Sequence, residues 1–382
     1  MDNFTHSLIG VAAAKAGLER LSPGATAVCI LAANAPDADI VTLFFGDRWT
    51  YLHHHRGITH SIVGTLIIAL LIPLLFFAAD RTISWLRQTI PRVRMAGLTV
   101  TSVIVSATHP LMDWTNNYGI RPLLPWDGEW YYGDLVFIVD PFIWLLIGGA
   151  TFLATAKSRN QKVFWSVIAA VVTVIILFAG NRPGAAVPAW LRYFWILALV
   201  LLIYLSKVGI AEKLGTRVTQ VAFLVLLMYW GALAILHQRA LQQADSRATM
   251  IATMFGESVT DVAAMPTLAN PVQWQGVFET QKAAYRFELS LIGEAERPGF
   301  VRHERPEALG PAVAARALNS RPAQVFLGFA RFPVARLADA DCTSRTLVQL
   351  ADLRYTEPGS RRGTFAVEIP VECPIEMASH NR

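Results

Sequence analysis

The chain has 382 residues (42.1 kDa), of which 54% are hydrophobic and 16% charged, with a mean hydropathy of +0.40. Soluble domains carry about 25% charged residues, so this composition excludes an ordinary soluble protein, a coiled coil, collagen or a disordered chain, and describes a membrane protein. The formal net charge of +5 and pI of about 9.2 arise from short Lys and Arg clusters between apolar runs, a pattern of membrane topology and not of nucleic-acid binding.

A membrane span needs about 20 apolar residues. The first stretch, Asn3 to Leu21, carries His6 and Lys15 and reads as a short span or a re-entrant helix. It lacks a basic region before its apolar part, so it is not read as a signal peptide. Fuller apolar runs follow at 24–46, 58–79, 95–113, 135–156, 163–180, 190–206 and 218–237. The sequence thus predicts an all-α polytopic bundle of seven or eight spans over residues 1–237, followed by a smaller α+β domain over 238–382.

Alternate loops differ in charge. Lys15, Arg20, Arg81, Arg87, Arg92, Arg94, Lys157, Arg159, Lys162, Lys207, Lys213 and Arg217 fall on one side, and only Arg48, Arg56, Arg121 and Arg182 on the other. The positive-inside rule puts the first set in the cytoplasm. Residues 47–57, 114–134 and the C-terminal domain are then expected on the outer face of a bacterial inner membrane, with the C-terminal domain in the periplasm. Beyond residue 240 a polar helix through Met254 is predicted. Strand-like segments follow at Ala284–Ile292, Gln324–Phe332, Thr346–Leu353 and Thr364–Val371, with a helix near 307–318. Cys29, Cys342 and Cys373 lack zinc-site spacing, although a Cys342–Cys373 bridge is compatible with the sequence.

Six of the nine His residues lie within the first 109 positions. An Asp at the centre of a span costs about 2.5–3.5 kcal/mol, so an intramembrane carboxylate needs a partner, an aqueous cavity or a metal. Asp37 and Asp39 sit in Asn34-Ala-Pro-Asp-Ala-Asp, where Pro36 removes an amide donor and should break the helix. His60 closes His55-Arg56-Gly57-Ile58-Thr59-His60-Ser61. His109 and Asp113 are four apart in His109-Pro-Leu-Met-Asp113, hence on one helical face. With His6, the charge-derived topology brings these residues toward the same outer face.

Six ligand candidates result: His6, Asp37, Asp39, His60, His109 and Asp113. Mixed imidazole and carboxylate donors suit Zn²⁺ first, with Mn²⁺ or Fe²⁺ as alternatives, as one ion or as two sharing an Asp. Asp39 is also the candidate proton acceptor, and Arg56 the candidate holder of an anionic group, with Thr59 or Ser61 adding a hydrogen bond. His53 and His54 read as interfacial, and His55 leaves both roles open. Asp134 and Asp140 read equally as partners of metal-bound imidazoles or as helix-entry residues. His237, His303 and His380 are isolated and receive no role.

These motifs resemble those of the YdjM-like, LexA-regulated family of membrane-bound metal-dependent hydrolases. The resemblance rests on Met1-Asp-Asn-Phe-Thr-His-Ser7, Ala35-Pro-Asp-Ala-Asp39, the segment from His55 to Ser61, His109-Pro-Leu-Met-Asp-Trp114 and Phe137-Ile-Val-Asp-Pro141. In the tail it extends to Phe332-Pro-Val-Ala-Arg336 and Asp352-Leu-Arg-Tyr355. The family's His and Asp pattern is similar to that of zinc-dependent phospholipase C and P1-type nucleases, which implies phosphoester hydrolysis at a metal cluster. The expected function is therefore hydrolysis by metal-activated water of a lipid or lipid-linked phosphoester that enters from the bilayer. A metal or proton transporter and a non-catalytic scaffold with a structural metal are the alternatives. The transporter predicts ligands spread across the membrane and polar lining in the later spans, which the sequence does not have.

Overall fold

The computed structural model describes residues 1–179, 188–293, 299–309, 311–339, 345–360 and 365–372. Arg182 of the charge pattern, Cys342 and Cys373 of the candidate bridge, and His380 lie outside the described residues. The chain forms two compact units. The first comprises Met1–Asp39, Arg56–Ala234 and the short segment Thr267–Asn270; the second comprises Ile40–His55, Ile235–Pro266 and Pro271–Arg382.

The first unit is helical. Helix α1 (Asn3–Lys15) starts at Asp2, whose carboxylate accepts the Thr5 backbone N–H at 2.9 Å, one of the donors that a helix start leaves unpaired. Helix α2 (Ala25–Asn34) packs closely on α1: a Cβ on Gly10 would stand 2.7 Å from the Cys29 carbonyl oxygen, so glycine permits the approach. At Pro36 the α-helical pattern ends, as expected, and a 3₁₀ helix continues over Ala35–Phe44. After α3 (Arg48–His54), which belongs to the second unit, and a 3₁₀ turn (Ile58–His60) come the long helices α4 (Ile62–Leu86) and α5 (Met95–Trp114) of the first.

A shorter apolar stretch, Pro141–Thr155, is built from α6 (Pro141–Ile143), a π-helical turn (Trp144–Gly148) and α7 (Gly149–Thr155). Then follow α8 (Arg159–Ala179), α9 (Ala189–Lys207), the short α10 (Ile210–Leu214) and α11 (Arg217–Met254). Among the described residues six helical segments are long and apolar enough to cross a membrane: Ala25–Phe44, α4, α5, α8, α9 and α11. Six of the expected seven or eight runs therefore reach that length and apolarity as one helical segment. The 135–156 run yields only a short helix because its first residues form the approach to the Asp140 cap, and Asn3–Lys15 is too short to span alone. The protein is a multi-pass membrane protein.

The second unit contains two antiparallel sheets. One has the order β1 (Val259–Thr267), β2 (Asn270–Thr280), β3 (Ala283–Ser290), β4 (Phe300–Glu304); the other β5 (Pro333–Leu337), β6 (Arg345–Asp352), β7 (Ala366–Glu372). Ala240, Ala244, Ala248 and Ala252 recur at four-residue spacing on α11 and pack against Trp274, Phe278 and Tyr285, one face of a helix on one face of a sheet. Helix α12 (Pro311–Leu318) matches the predicted helix. The segment Gln324–Phe332, expected as a strand, is instead mostly helix α13 (Arg321–Phe329). Ser320 caps it, Pro322 sits in its first turn, and Ala323, Phe326 and Phe329 are buried at three-residue spacing. That period is helical and outweighs the short apolar run.

Candidate metal centre

The site is assembled from four places in the first unit: the N-terminal turn of α1, the 3₁₀ segment after Asn34, the turn before α4, and the last turns of α5. Its centre is a quartet of donor atoms, Asp37 Oδ1, His60 Nε2, His109 Nε2 and Asp113 Oδ2. The two imidazole nitrogens are 3.1 Å apart. His60 Nε2 lies 3.3 Å from each carboxylate oxygen, and His109 Nε2 lies 3.5 Å from each. A tetrahedral shell with bonds of about 2.0–2.1 Å has donor–donor edges of about 3.3–3.4 Å. The five distances therefore match the donor spacing of a tetrahedral site.

The hydrogen bonds behind the rings give a second, independent test of that fit. His109 Nδ1 is 2.6 Å from the Ala33 carbonyl oxygen, which can only accept, so the ring proton is on Nδ1 and a neutral His109 turns a lone pair on Nε2 toward the quartet. His60 Nδ1 is 3.0 Å from Thr59 Oγ1, a hydroxyl that serves either tautomer, and 3.6 Å from Asp39 Oδ2. Asp113 Oδ2 is buried and accepts no hydrogen bond. Two imidazole nitrogens and two carboxylate oxygens thus converge in a buried pocket, where a cation between them would offset the repulsion of the two carboxylates. The donor set fits a divalent metal of the Zn, Mn or Fe class.

The residues around the quartet hold it in place. Asn3 Nδ2 donates to Asp37 Oδ2 at 2.8 Å. Asp113 Oδ1 accepts from Arg56 Nη2 at 2.9 Å and also abuts the Met1 amino nitrogen. Asp39 stands on the Nδ1 side of His60, where its Oδ2 accepts the Arg56 backbone N–H at 3.0 Å, and it forms with Asp37 and His55 a second group of donors close enough to share an ion. His6 stacks on His109 with ring centroids 3.8 Å apart, and its Nε2 is 3.5 Å from Asp113 Oδ1. Neither nitrogen of this fully buried ring has a hydrogen-bond partner. His6 thus faces the outer carboxylate oxygen of Asp113, beside the quartet.

Arg56 was expected to hold a substrate anion. Its guanidinium is instead turned to the protein: it donates to Asp113 Oδ1, to Asn116 Oδ1 at 3.0 Å and to the Gly119 carbonyl at 3.1 Å, and covers the Tyr118 ring. This makes it a positioning residue for Asp113. Asp140 caps α6, accepting from the Phe142 and Ile143 amides at 2.7 and 3.3 Å and from the Tyr229 hydroxyl at 2.9 Å. Of its two predicted roles the structure shows helix entry. Ser61 likewise serves structure, capping α4 through the Gly64 amide.

Asn3, Ala33 and Asn116 were missed as site residues. Asn3 stands in the opening motif and had a signal of that kind; a backbone carbonyl such as that of Ala33 has none. Gly64 was also missed. A Cβ there would stand 1.7 Å from the Ile58 carbonyl oxygen, so this glycine lets the His60 turn lie on α4.

Fold and site together define a multi-pass helical membrane region with a buried His/Asp cluster. Residues 1–183 match the model of the YdjM inner membrane protein family, the family that the motifs resemble. The chain is 34% identical over 116 residues to the inner membrane protein YbcI of Escherichia coli K12, covering 30% of this chain and 61% of that protein. It is 28% identical over 155 residues to the protein YfhP of Bacillus subtilis strain 168, covering 38% of this chain and 43% of that one. The chain thus spans less than two thirds of either relative. No solved structure matches it.

Proposed function

We propose that the protein is an inner-membrane, metal-dependent hydrolase of phosphoesters borne by lipid or lipid-linked substrates. The observation that carries this reading is the quartet itself: two imidazole nitrogens and two carboxylate oxygens at tetrahedral spacing, held by hydrogen bonds from behind in a buried setting. Asp37, His60, His109 and Asp113 would hold the ion, and His6 with Asp113 a second one. A metal bound there supplies a nucleophilic hydroxide near neutral pH and polarises a phosphoryl oxygen. The protein groups do the rest. Arg56 fixes Asp113, Asn3 fixes Asp37, and the Ala33 carbonyl fixes the His109 ring. Asp39, outside the quartet and linked to the Arg56 amide, is the carboxylate left to accept a proton. The charge pattern of the loops supports a periplasmic C-terminal domain.

One observation favours a second reading. Four protein donors around one ion make a closed shell, the mark of a structural zinc site, in which case the metal staples the helices and no turnover follows. The unpartnered His6 beside Asp113 argues for the hydrolase, because a staple has no need of it.

The test is hydrolysis of bis(p-nitrophenyl) phosphate by the full chain in lipid nanodiscs, loaded with Zn²⁺ or Mn²⁺, beside His6→Ala and His109→Ala. The hydrolase reading predicts turnover in the wild type that is lost in both variants, with the quartet's ion retained in His6→Ala. Metal retention with no turnover of this ester or of a lipid phosphoester in any sample would establish the scaffold instead.

A further inference from the structure

Between α4 and α5 lies a groove of about 490 Å³. Fully buried His60 lines it at one end, next to the quartet. The rest is almost wholly hydrocarbon: Leu66 and Ala69 on α4, Val103, Ala107 and Leu111 on α5. The lining extends from residue 62 to 69 on α4 and from 103 to 114 on α5, a strip about 10 Å and about 16 Å long by helical rise. Ile62, Leu66 and Leu111 are 64%, 50% and 50% exposed, so the groove opens to the outside of the helical unit. Both helices are of membrane-crossing length and composition, so the medium outside is acyl chain.

An apolar strip that begins at a residue of the quartet suits an amphiphile whose charged end reaches the donors and whose tail stays in hydrocarbon. His60, whose Nε2 is 3.3 Å from both Asp37 Oδ1 and Asp113 Oδ2, is where the groove meets the quartet. We propose that the α4/α5 groove is the tail subsite of the enzyme, and that its occupant is one acyl chain of a bilayer phospholipid with its phosphate at the quartet. This rests on the hydrolase reading above and narrows its substrate class to phosphates carrying an extended alkyl chain.

The test uses alkylphosphonates, which carry the head and tail but are not hydrolysed, bound to the zinc-loaded full chain in nanodiscs. Each buried methylene adds to affinity, so octylphosphonate should bind wild-type protein at least tenfold more tightly than methylphosphonate. In Ala107→Trp, and independently in Leu66→Trp, this ratio should fall below threefold, with methylphosphonate affinity and metal content unchanged. A ratio unaltered in both variants would overturn the groove while leaving the head site standing. Failure of methylphosphonate itself to bind zinc-loaded wild type would overturn the hydrolase reading, and the tail subsite with it.

Discussion

The Nδ1–H of His109 meets the carbonyl oxygen of Ala33 at 2.6 Å, from the α5 helix to the last turn of α2. That one bond settles which nitrogen of His109 faces Asp37, and it ties the Pro-broken end of one apolar segment to the metal face of another. Such bonds behind a ligand set its orientation and basicity, and their loss typically costs 10–100-fold in metal affinity.

Asn3 does the same for Asp37 and can be removed without touching a ligand. Asn3→Ala should weaken zinc binding about tenfold, read by competition with a chromogenic chelator, while the helical circular dichroism is unchanged. Asn3→Asp should be worse than Ala, since a second carboxylate against Asp37 adds repulsion. Equal affinity in all three proteins would show that the contact does not orient the ligand.

Gly64 controls the site from a distance. In Gly64→Ala the new Cβ meets the Ile58 carbonyl, so the turn carrying His60 has to move away from α4, and a shift of even an ångström at a ligand is costly. Metal retention after dialysis should fall at least tenfold. Gly231→Ala, where nothing lies within 4 Å of the added atom, is the matched control and should bind as wild type does.

Asp140 separates structure from chemistry. Asp140→Ala removes the cap of α6 and the acceptor of the Tyr229 hydroxyl, which together should cost about 1–3 kcal/mol. The thermal midpoint in detergent should drop while zinc stoichiometry stays the same. Loss of zinc would return Asp140 to the group of residues that orient the ligands.

The second unit carries its own pH dependence. Burial alone would raise the Glu257 carboxyl, yet hydrogen bonds from Thr280, Tyr285 and Arg302 outweigh it and hold the group below its ordinary value of 4.5. A carboxylate lowered on folding contributes stability that is present above its unfolded pKa and lost as pH falls through its folded one. Amide exchange of β2 and β3, corrected for intrinsic rate, should therefore quicken below about pH 4.5 in the wild-type chain. In Glu257→Gln, which has no charge to lose, that acid step should shrink and protection at pH 7 should already be lower.

The heart of the site was legible because lipid makes ionisable side chains expensive: Asp37, His60, His109 and Asp113 stood out against apolar runs, and the four-residue spacing of the last two gave geometry directly. The helix break at Pro36 was legible for a similar reason. What could not be read was direction. Nothing in the order His55-Arg56-Gly57 says that the guanidinium turns inward to Asp113 and the Gly119 carbonyl and not outward to a substrate, nor that Asp39 stands on the Nδ1 side of His60 while Asp37, two residues earlier, faces Nε2. In the second unit, β3, β6 and β7 were visible in their alternation. The helix Arg321–Phe329 was hidden by its brevity, since nine residues give little more than two turns of a period. The strand Val259–Thr267 was hidden by its Asp and Pro.

The account depends on a metal held by four particular atoms, and its most direct test is the metal content of the full chain after exhaustive dialysis. Wild type should be compared with Asp37→Asn, His60→Ala, His109→Ala, Asp113→Asn and, as the outlying carboxylate, Asp39→Asn. Stoichiometric zinc or manganese in the wild type, loss in each of the four quartet variants and substantial retention in Asp39→Asn is the predicted result. Wild-type protein that takes up no divalent metal even when reconstituted, or quartet variants that retain it as the wild type does, would contradict it.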